Sequence, residues 1–164
     1  MENKLQLYKI DPGYLKFLHN IDRKISVKYN NRPFVGIITM VGNIPYVLPL
    51  TSQTTQERKK EGKKKRSSMI TTFVKDSSDV EIANILHNNM FPVQEGLYTP
   101  LEIDPTINTY ESNEIRYIRK HKDEIISKAI KVYTNRTTKE NDFLRKTCCD
   151  FKKLEEHYMD YEID

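Results

Sequence analysis

Phe34-Val-Gly-Ile-Ile-Thr-Met-Val41, then Gly42-Asn43, then Ile44-Pro-Tyr-Val-Leu-Pro-Leu50 is the stretch whose reading decides the fold. It lies inside an uncharged run from Pro33 to Gln56, long enough to raise the question of a membrane span. Its content answers no. Gly42-Asn43 interrupts the run, Pro45 and Pro49 follow, and Thr51, Ser52, Thr54 and Thr55 end it. The first part is β-branched and apolar, the second can return beside it, and Gly-Asn tolerates the positive φ of a two-residue hairpin turn. The two prolines predict an edge, a bulge or an irregular second strand, because neither can donate to a ladder.

Outward from this hairpin, Leu5 to Ile10 reads as a first strand. Asp11-Pro12 reads as a helix start, with Tyr14, Leu15, Leu18 and Ile21 at helical spacing. Met69 to Val74 and Met90 to Val93 read as short strands. A basic loop at about 53–68 holds Arg58, Lys59, Lys60, Lys63, Lys64, Lys65 and Arg66. Seven like charges so close together repel, which predicts a mobile loop. Two amphipathic helices are expected at about 112–134, capped by Ser112, and at about 138–160, where Thr137 and Glu140 have capping-box spacing. Cys148 and Cys149 fall on the apolar face of the second. A strand-rich first half followed by helices is an α+β pattern, and 164 residues fit a single domain.

Charge is unevenly divided. Residues 1–75 carry 15 Lys/Arg against 5 Asp/Glu, and residues 76–164 carry 12 against 18. The basic first half points toward a polyanion, or toward a solvated loop balanced elsewhere. No apolar signal segment follows the N-terminus, and two adjacent cysteines make no disulfide framework, so a reducing cytoplasm is the expected compartment.

There is no Gly-rich phosphate loop, dinucleotide fingerprint or metalloprotease helix signature. His19, His87, His121 and His157 lack zinc-ligand spacing. No metal and no cofactor are expected. What remains concentrated is hydroxyl, phenol and ammonium. Thr51-Ser52 falls where the second hairpin strand ends and the basic loop begins. A hydroxyl there is held by the sheet yet open to a ligand, and the lysines beside it supply charge for phosphate. Tyr14, Tyr29 and Tyr46 could stack on bases. The plainer alternative makes Thr51 and Ser52 turn residues and the tyrosines the edge of the core.

Several segments, taken in order, resemble the ToxN/AbiQ family, the endoribonuclease toxins of type III toxin–antitoxin systems. They are Tyr8-Lys-Ile-Asp-Pro-Gly-Tyr14-Leu-Lys-Phe-Leu18, Arg32-Pro-Phe-Val-Gly-Ile37, Tyr46-Val-Leu-Pro-Leu-Thr51-Ser52 and Phe91-Pro-Val93. Ile118-Arg-Lys-His-Lys-Asp-Glu-Ile-Ile-Ser-Lys128 and Leu154-Glu-Glu-His-Tyr158 resemble its last two helices.

The resemblance implies a compact, partly open antiparallel barrel of the MazF/CcdB toxin type with surrounding helices. It implies metal-independent RNA cleavage and a cognate RNA antitoxin, whose pseudoknot repeats the toxin cuts and is blocked by, in closed toxin–RNA assemblies acting in phage defence or locus maintenance. Thr51 and Ser52 match the family's hydroxyl pair, Tyr29 its active-site tyrosine and Tyr14 its early helix tyrosine. Family members often place a lysine two or three residues after the serine. Gln53, Thr54 and Thr55 stand there instead, so either Lys59 or Lys60 is expected to fold back as the catalytic cation, or another cation does that work. Arg32, Lys63, Lys64, Lys65 and Arg66 are expected to bind RNA. The expected chemistry is attack by the RNA's own 2′-hydroxyl, leaving 2′,3′-cyclic phosphate and 5′-hydroxyl ends. Rival readings are a non-catalytic nucleic-acid-binding module and a gyrase-inhibiting toxin on the same fold.

Overall fold

The computed structural model describes residues 5–27 and 33–163. Strand β1 (Tyr8–Ile10) leads into α1 (Pro12–Ile21), then β2 (Val35–Val41) and β3 (Ile44–Thr51) form the predicted hairpin. There follow α2 (Thr55–Lys60), β4 (Thr71–Lys75), β5 (Glu81–Leu86), β6 (Phe91–Pro92) and β7 (Tyr98–Pro100). The chain ends in α3 (Thr109–Lys120), α4 (Lys122–Thr138), α5 (Asp142–Thr147) and α6 (Phe151–His157). The architecture is α+β: an open antiparallel sheet in the order β4-β5-β3-β2-β1-β7, with β6 paired to β3 off that path. No helix among the described residues is long and apolar enough to cross a membrane.

The β2–β3 register runs from Gly36 opposite Pro49 to Val41 opposite Ile44, and Gly42 turns the chain at φ +64°. The proline-bearing β3 is central, not an edge. Its second side is shared by β6 at Tyr46 and Val47 and by β5 at Leu50 and Thr51. Leu48 and Pro49 lie between those two ladders, where pairing is interrupted anyway. Gly36 permits this close hairpin: a Cβ there would come within 2.6 Å of Val47 and 2.9 Å of the Leu48 carbonyl oxygen.

Asp11 caps α1 as predicted, accepting from the Tyr14 N–H at 2.9 Å, and Pro12 stands in the first turn. The helix buries Tyr14, Leu15 and Leu18 against the sheet. Three other expectations need correction. The helix placed at 112–134 begins at Thr109 and breaks at His121, where the ring stacks on Tyr117 at 4.1 Å. The apolar positions Ile118, Ile125, Ala129 and Val132 keep step across the break, so periodicity could not reveal it. The helix placed at 138–160 is two short ones. Thr137 still lies inside α4, donating to the Tyr133 carbonyl, and Asn141 and Asp150 cap α5 and α6. Cys148 and Cys149 sit in the link between α5 and α6 rather than on a helix, yet both are fully buried. Their burial raises both thiols above the ordinary range.

The core lies between the sheet and these helices. Tyr46 of β3 is fully buried and donates to Glu155 of α6 at 2.5 Å, and Tyr133 of α4 donates to the same carboxylate oxygen at 2.7 Å. That shared carboxylate ties both helices to the central strand.

His87, in the 3₁₀ turn after β5, is also fully buried, with Nε2 2.7 Å from the Thr72 hydroxyl. Burial first, and the Lys128 ammonium second, push its imidazole down to about 3 from an ordinary value of 6.5. The unfolded chain therefore binds a proton that the folded chain does not. The stability from a neutral His87 is fully present above pH 6.5 and is lost toward pH 3, at about 1.4 kcal/mol per pH unit. Urea unfolding at pH 7 and pH 5 should show a smaller acid loss in His87→Gln than in the wild type. Equal losses would remove His87 as the acid-sensitive group.

Candidate active site

Strand β3 ends at Thr51, directly opposite Asn84 of β5. The Thr51 hydroxyl oxygen accepts from the Gln53 N–H at 3.1 Å, a local turn that leaves Ser52 exposed at the strand end. Thr54 then caps α2, accepting from the Glu57 N–H at 3.3 Å.

The basic segment is folded. Glu57 in its first turn and Arg58, Lys59 and Lys60 in its last suit the dipole of α2, so the like charges stand where a helix C-terminus favours them. Gly62, at φ +73°, reverses the chain, and the Lys63 N–H closes onto the Arg58 carbonyl at 2.8 Å. The chain then comes back to the end of β3.

Arg66 is the residue that returns. One guanidinium nitrogen, Nη1, donates to the Gln53 carbonyl at 2.6 Å and to Asn84 Oδ1 at 2.8 Å. Nη2 donates to Gln53 Oε1 at 2.7 Å. Arg58 reaches the same Gln53 oxygen at 3.4 Å and donates to the Lys64 carbonyl at 2.7 Å. Burial, then the neighbouring Arg58, push Arg66 down to about 10, against the pull of Glu81. It stays protonated at neutral pH. Glu81 of β5 completes the frame: one carboxylate oxygen accepts from the Thr55 N–H at 2.7 Å and from Asn84 Nδ2 at 2.8 Å. Burial works to raise its pKa, but the Thr55 and Asn84 hydrogen bonds and the Lys65 charge hold the carboxyl below its ordinary value.

The result is a strand-end hydroxyl pair beside a half-buried cation whose hydrogen-bond partners are neutral. Such a cation attracts an anion, and exposed Ser52 leaves room for one. Among the described residues no group of three His, Cys, Asp or Glu could hold a metal ion.

A sequence model of the family described as toxin ToxN of type III toxin–antitoxin systems matches residues 6–159. This chain belongs to the ToxN family. It is 26% identical over 171 residues to an endoribonuclease ToxN of Bacillus thuringiensis subsp. kurstaki, covering 96% of this chain and 84% of that protein. It is 24% identical over 157 residues to the endoribonuclease AbiQ of Lactococcus lactis subsp. lactis, covering 92% and 86%. A solved type III toxin, described as selectively inhibited by a non-coding RNA pseudoknot, superposes with a TM-score of 0.82 at 26% identity, over 97% of this chain and 98% of that one. The solved AbiQ, described as a lactococcal anti-phage endoribonuclease, superposes at 0.81 with 22% identity and the same coverage.

Within this ToxN-family chain the expected site residues divide. Arg66 is brought to Gln53, the residue that follows the Thr51-Ser52 pair. Lys59 and Lys60 lie exposed on α2, Lys60 paired with Glu57 at 3.7 Å, and neither hydrogen-bonds residues 51–53 among the described residues. Lys63, Lys64 and Lys65 are exposed; Lys63 pairs with Glu61 at 3.4 Å and Lys65 lies over the Phe73 ring at 4.8 Å. Tyr29 and Arg32 fall outside the described residues. Tyr14 cannot stack on a base. It is fully buried, and its hydroxyl donates to the Pro92 carbonyl at 2.5 Å. Tyr46 is excluded by the same burial. Sequence reasoning passed over Gln53, Glu81 and Asn84. The signal for the last two was the turn Asp76-Ser-Ser-Asp79, where Asp76 accepts from the Ser78 and Val80 N–H groups and Asp79 takes φ +63°. It marks a β4–β5 hairpin and so a strand β5.

Proposed function

We propose that this toxin, an endoribonuclease of its family, breaks the RNA backbone with the substrate's own 2′-hydroxyl and without a metal. The 2′-hydroxyl releases its proton to solvent water as its oxygen bonds to phosphorus, the P–O5′ bond breaks with O5′ taking up a proton, and the products are a 2′,3′-cyclic phosphate and a 5′-hydroxyl. The observation that carries this reading is Arg66, pinned to Gln53 beside the Thr51-Ser52 hydroxyls. Ser52 and Thr51 donate to the reacting phosphate. Arg66 stabilises the charge that grows on its oxygens. Three of the five guanidinium N–H groups are engaged, which leaves two for the phosphate. Alignment of the 2′-oxygen supplies much of the rest, an effect worth up to about 7–11 kcal/mol. Tyr29 positions the nucleotide or donates the proton to the leaving oxygen, and Arg32 adds charge to the RNA path. Lys59 and Lys60 contribute field from α2 rather than contact.

The same reading makes the chain one toxin domain, acting in the cytoplasm on cellular or phage RNA. It is held in check by a repetitive RNA antitoxin folded as pseudoknots, in a closed toxin–RNA assembly. The kinship with MazF/CcdB toxins that the open antiparallel sheet supports belongs to this reading too. Incubation with RNA in excess EDTA tests it. Defined cuts bearing 5′-hydroxyl and cyclic phosphate ends are expected. Intact RNA would favour a binding module or a gyrase inhibitor.

The exposed lysines carry a separate expectation. Lys63, Lys64 and Lys65 are exposed; Lys63 makes a weak surface ion pair with Glu61, and Lys65 lies over the Phe73 ring near Glu81. Replacing all three with alanine should weaken antitoxin RNA binding and reduce the slope of log affinity against log salt by about 2, at roughly 0.7 per single-strand phosphate contact. An unchanged slope would mean that these charges face bulk solvent in the complex.

A further inference from the structure

We propose that Glu81 is a positioning residue for RNA cleavage: through Asn84 it fixes the Arg66 guanidinium where that cation meets the reacting phosphate. The inference deepens the RNA-cleaving reading above and rests on it. It starts from a misfit. A site that takes up a polyanion should exclude carboxylates, yet Glu81 lies within reach of the Lys65 and Arg66 charges. An acid kept there has a use other than gripping RNA.

A break in the ladder aims it at Asn84. Phe73 lies opposite Asn84 and Val74 opposite Ala83, but Lys75 lies opposite Glu81, so Ile82 is an extra residue in β5. Without it, residues three apart would project from opposite faces. With it, Glu81 and Asn84 are the partners of Lys75 and Phe73, which are two apart, and all four side chains leave one face. Bulges re-aim side chains in this way and are over-represented beside active sites.

The re-aimed carboxylate sets the polarity of a relay. Its Oε2 accepts from Asn84 Nδ2 at 2.8 Å, and the same nitrogen donates to the Ala83 carbonyl at 2.8 Å. An ionised carboxylate only accepts, so it draws the amide nitrogen toward itself and turns the amide oxygen the other way. That oxygen, Oδ1, receives Arg66 Nη1 at 2.8 Å. Asn84 is fully buried, so these partners and not bulk water satisfy its amide. It also lies opposite Thr51, so the relay ends beside the strand that carries the hydroxyl pair. The plainer alternative is that Glu81 only holds the start of α2, because Oε2 also accepts from the Thr55 N–H at 2.7 Å.

The test follows single-turnover cutting of a short RNA by the full-length protein at saturation. Binding of the same RNA with 2′-fluoro sugars, which lacks the nucleophile, and a thermal melt accompany each variant. Glu81→Ala should cut about tenfold or more slowly. It should bind the 2′-fluoro RNA as tightly or more tightly, because an acid has left a basic site. If Glu81→Ala does not fold, Glu81→Met, which keeps the stem without the oxygen, takes its place. Glu81→Gln returns an oxygen to the same position and should recover most of the rate. In an Arg66→Ala background, Glu81→Ala should slow cutting by less than about twofold further, since nothing is left for it to position. Thr55→Pro removes the competing N–H at a first helical position, after an extended Thr54, where proline fits. It should cost far less than Glu81→Ala. Glu81→Ala at the wild-type rate, an equal slowing in both backgrounds, Glu81→Gln as slow as Glu81→Ala, or Thr55→Pro as slow as Glu81→Ala overturns the inference and leaves the reaction standing. A wild type that cuts no RNA, or Arg66→Ala at the wild-type rate, overturns the reaction as assigned and the inference with it.

Discussion

Replacing Ser52 with alanine should slow RNA cleavage about 100-fold or more while the protein stays folded. Ser52 is exposed at the end of β3 and caps no helix, so loss of its oxygen should change stability by less than about 0.5 kcal/mol. Its neighbour Thr51 already has an oxygen lone pair engaged by the Gln53 N–H. Ser52 is the more exposed of the two hydroxyls and stands at the strand end, open to a phosphate. Loss of one preorganised contact to developing charge is worth about 2.7 kcal/mol, and in water-excluded sites more. Single-turnover cleavage of a short RNA, beside a thermal melt of the same preparation, decides it. The variant should also be tolerated in a host that lacks the antitoxin. A folded Ser52→Ala protein that cuts as fast as the wild type would take Ser52 off the reaction.

Local chemistry was legible in the sequence, and long-range placement was not. The β2–β3 hairpin, with Gly42-Asn43 turning it, and the Asp11-Pro12 helix start depend on residues close in sequence, and both form as read. The helix breaks at His121 and at Cys148–Asp150 do not disturb the apolar spacing, so no periodic pattern could report them. Tyr14 shows the limit for side chains. A tyrosine on an amphipathic helix suits a base or a core equally well, and only the Pro92 carbonyl from a distant strand decides for the core. In the basic segment, repulsion between like charges is not the only force. The cap at Thr54, the acid at Glu57 and the reversal at Gly62 outweigh it. The hydroxyl pair could be found from its place at a strand end. The direction of Arg66 could not, because it depends on Asn84 in a strand that the sequence reading missed.

Arg66 therefore gives the sharpest contrast with the lysines of α2. Arg66→Ala should slow the chemical step about 100-fold or more, and Lys59→Ala and Lys60→Ala should each change it little. The geometry sets the order. Arg66 is fixed by three hydrogen bonds to Gln53 and Asn84, whereas the two lysines stand exposed without contact to residues 51–53. A cation that meets charge grown in the transition state acts on the rate of bond breaking more than on binding of the ground state. Affinity for a 2′-deoxy analogue should accordingly fall far less than the single-turnover rate. Arg66→Ala also leaves the Gln53 carbonyl and Asn84 Oδ1 without their donor, so loss of rate alone would not distinguish charge from scaffolding. Arg66→Lys separates them. Lysine keeps the charge but is a point donor that cannot bridge both partners as the planar guanidinium does. If charge is what the site needs, Arg66→Lys recovers a large part of the rate even though the frame is loosened. If Arg66→Lys is as slow as Arg66→Ala while both bind the analogue normally, Arg66 acts by holding Gln53 and the strand end in place. If Arg66→Ala cuts at the wild-type rate and Lys59→Ala or Lys60→Ala does not, the cation comes from α2 and folds down onto the phosphate when RNA is bound.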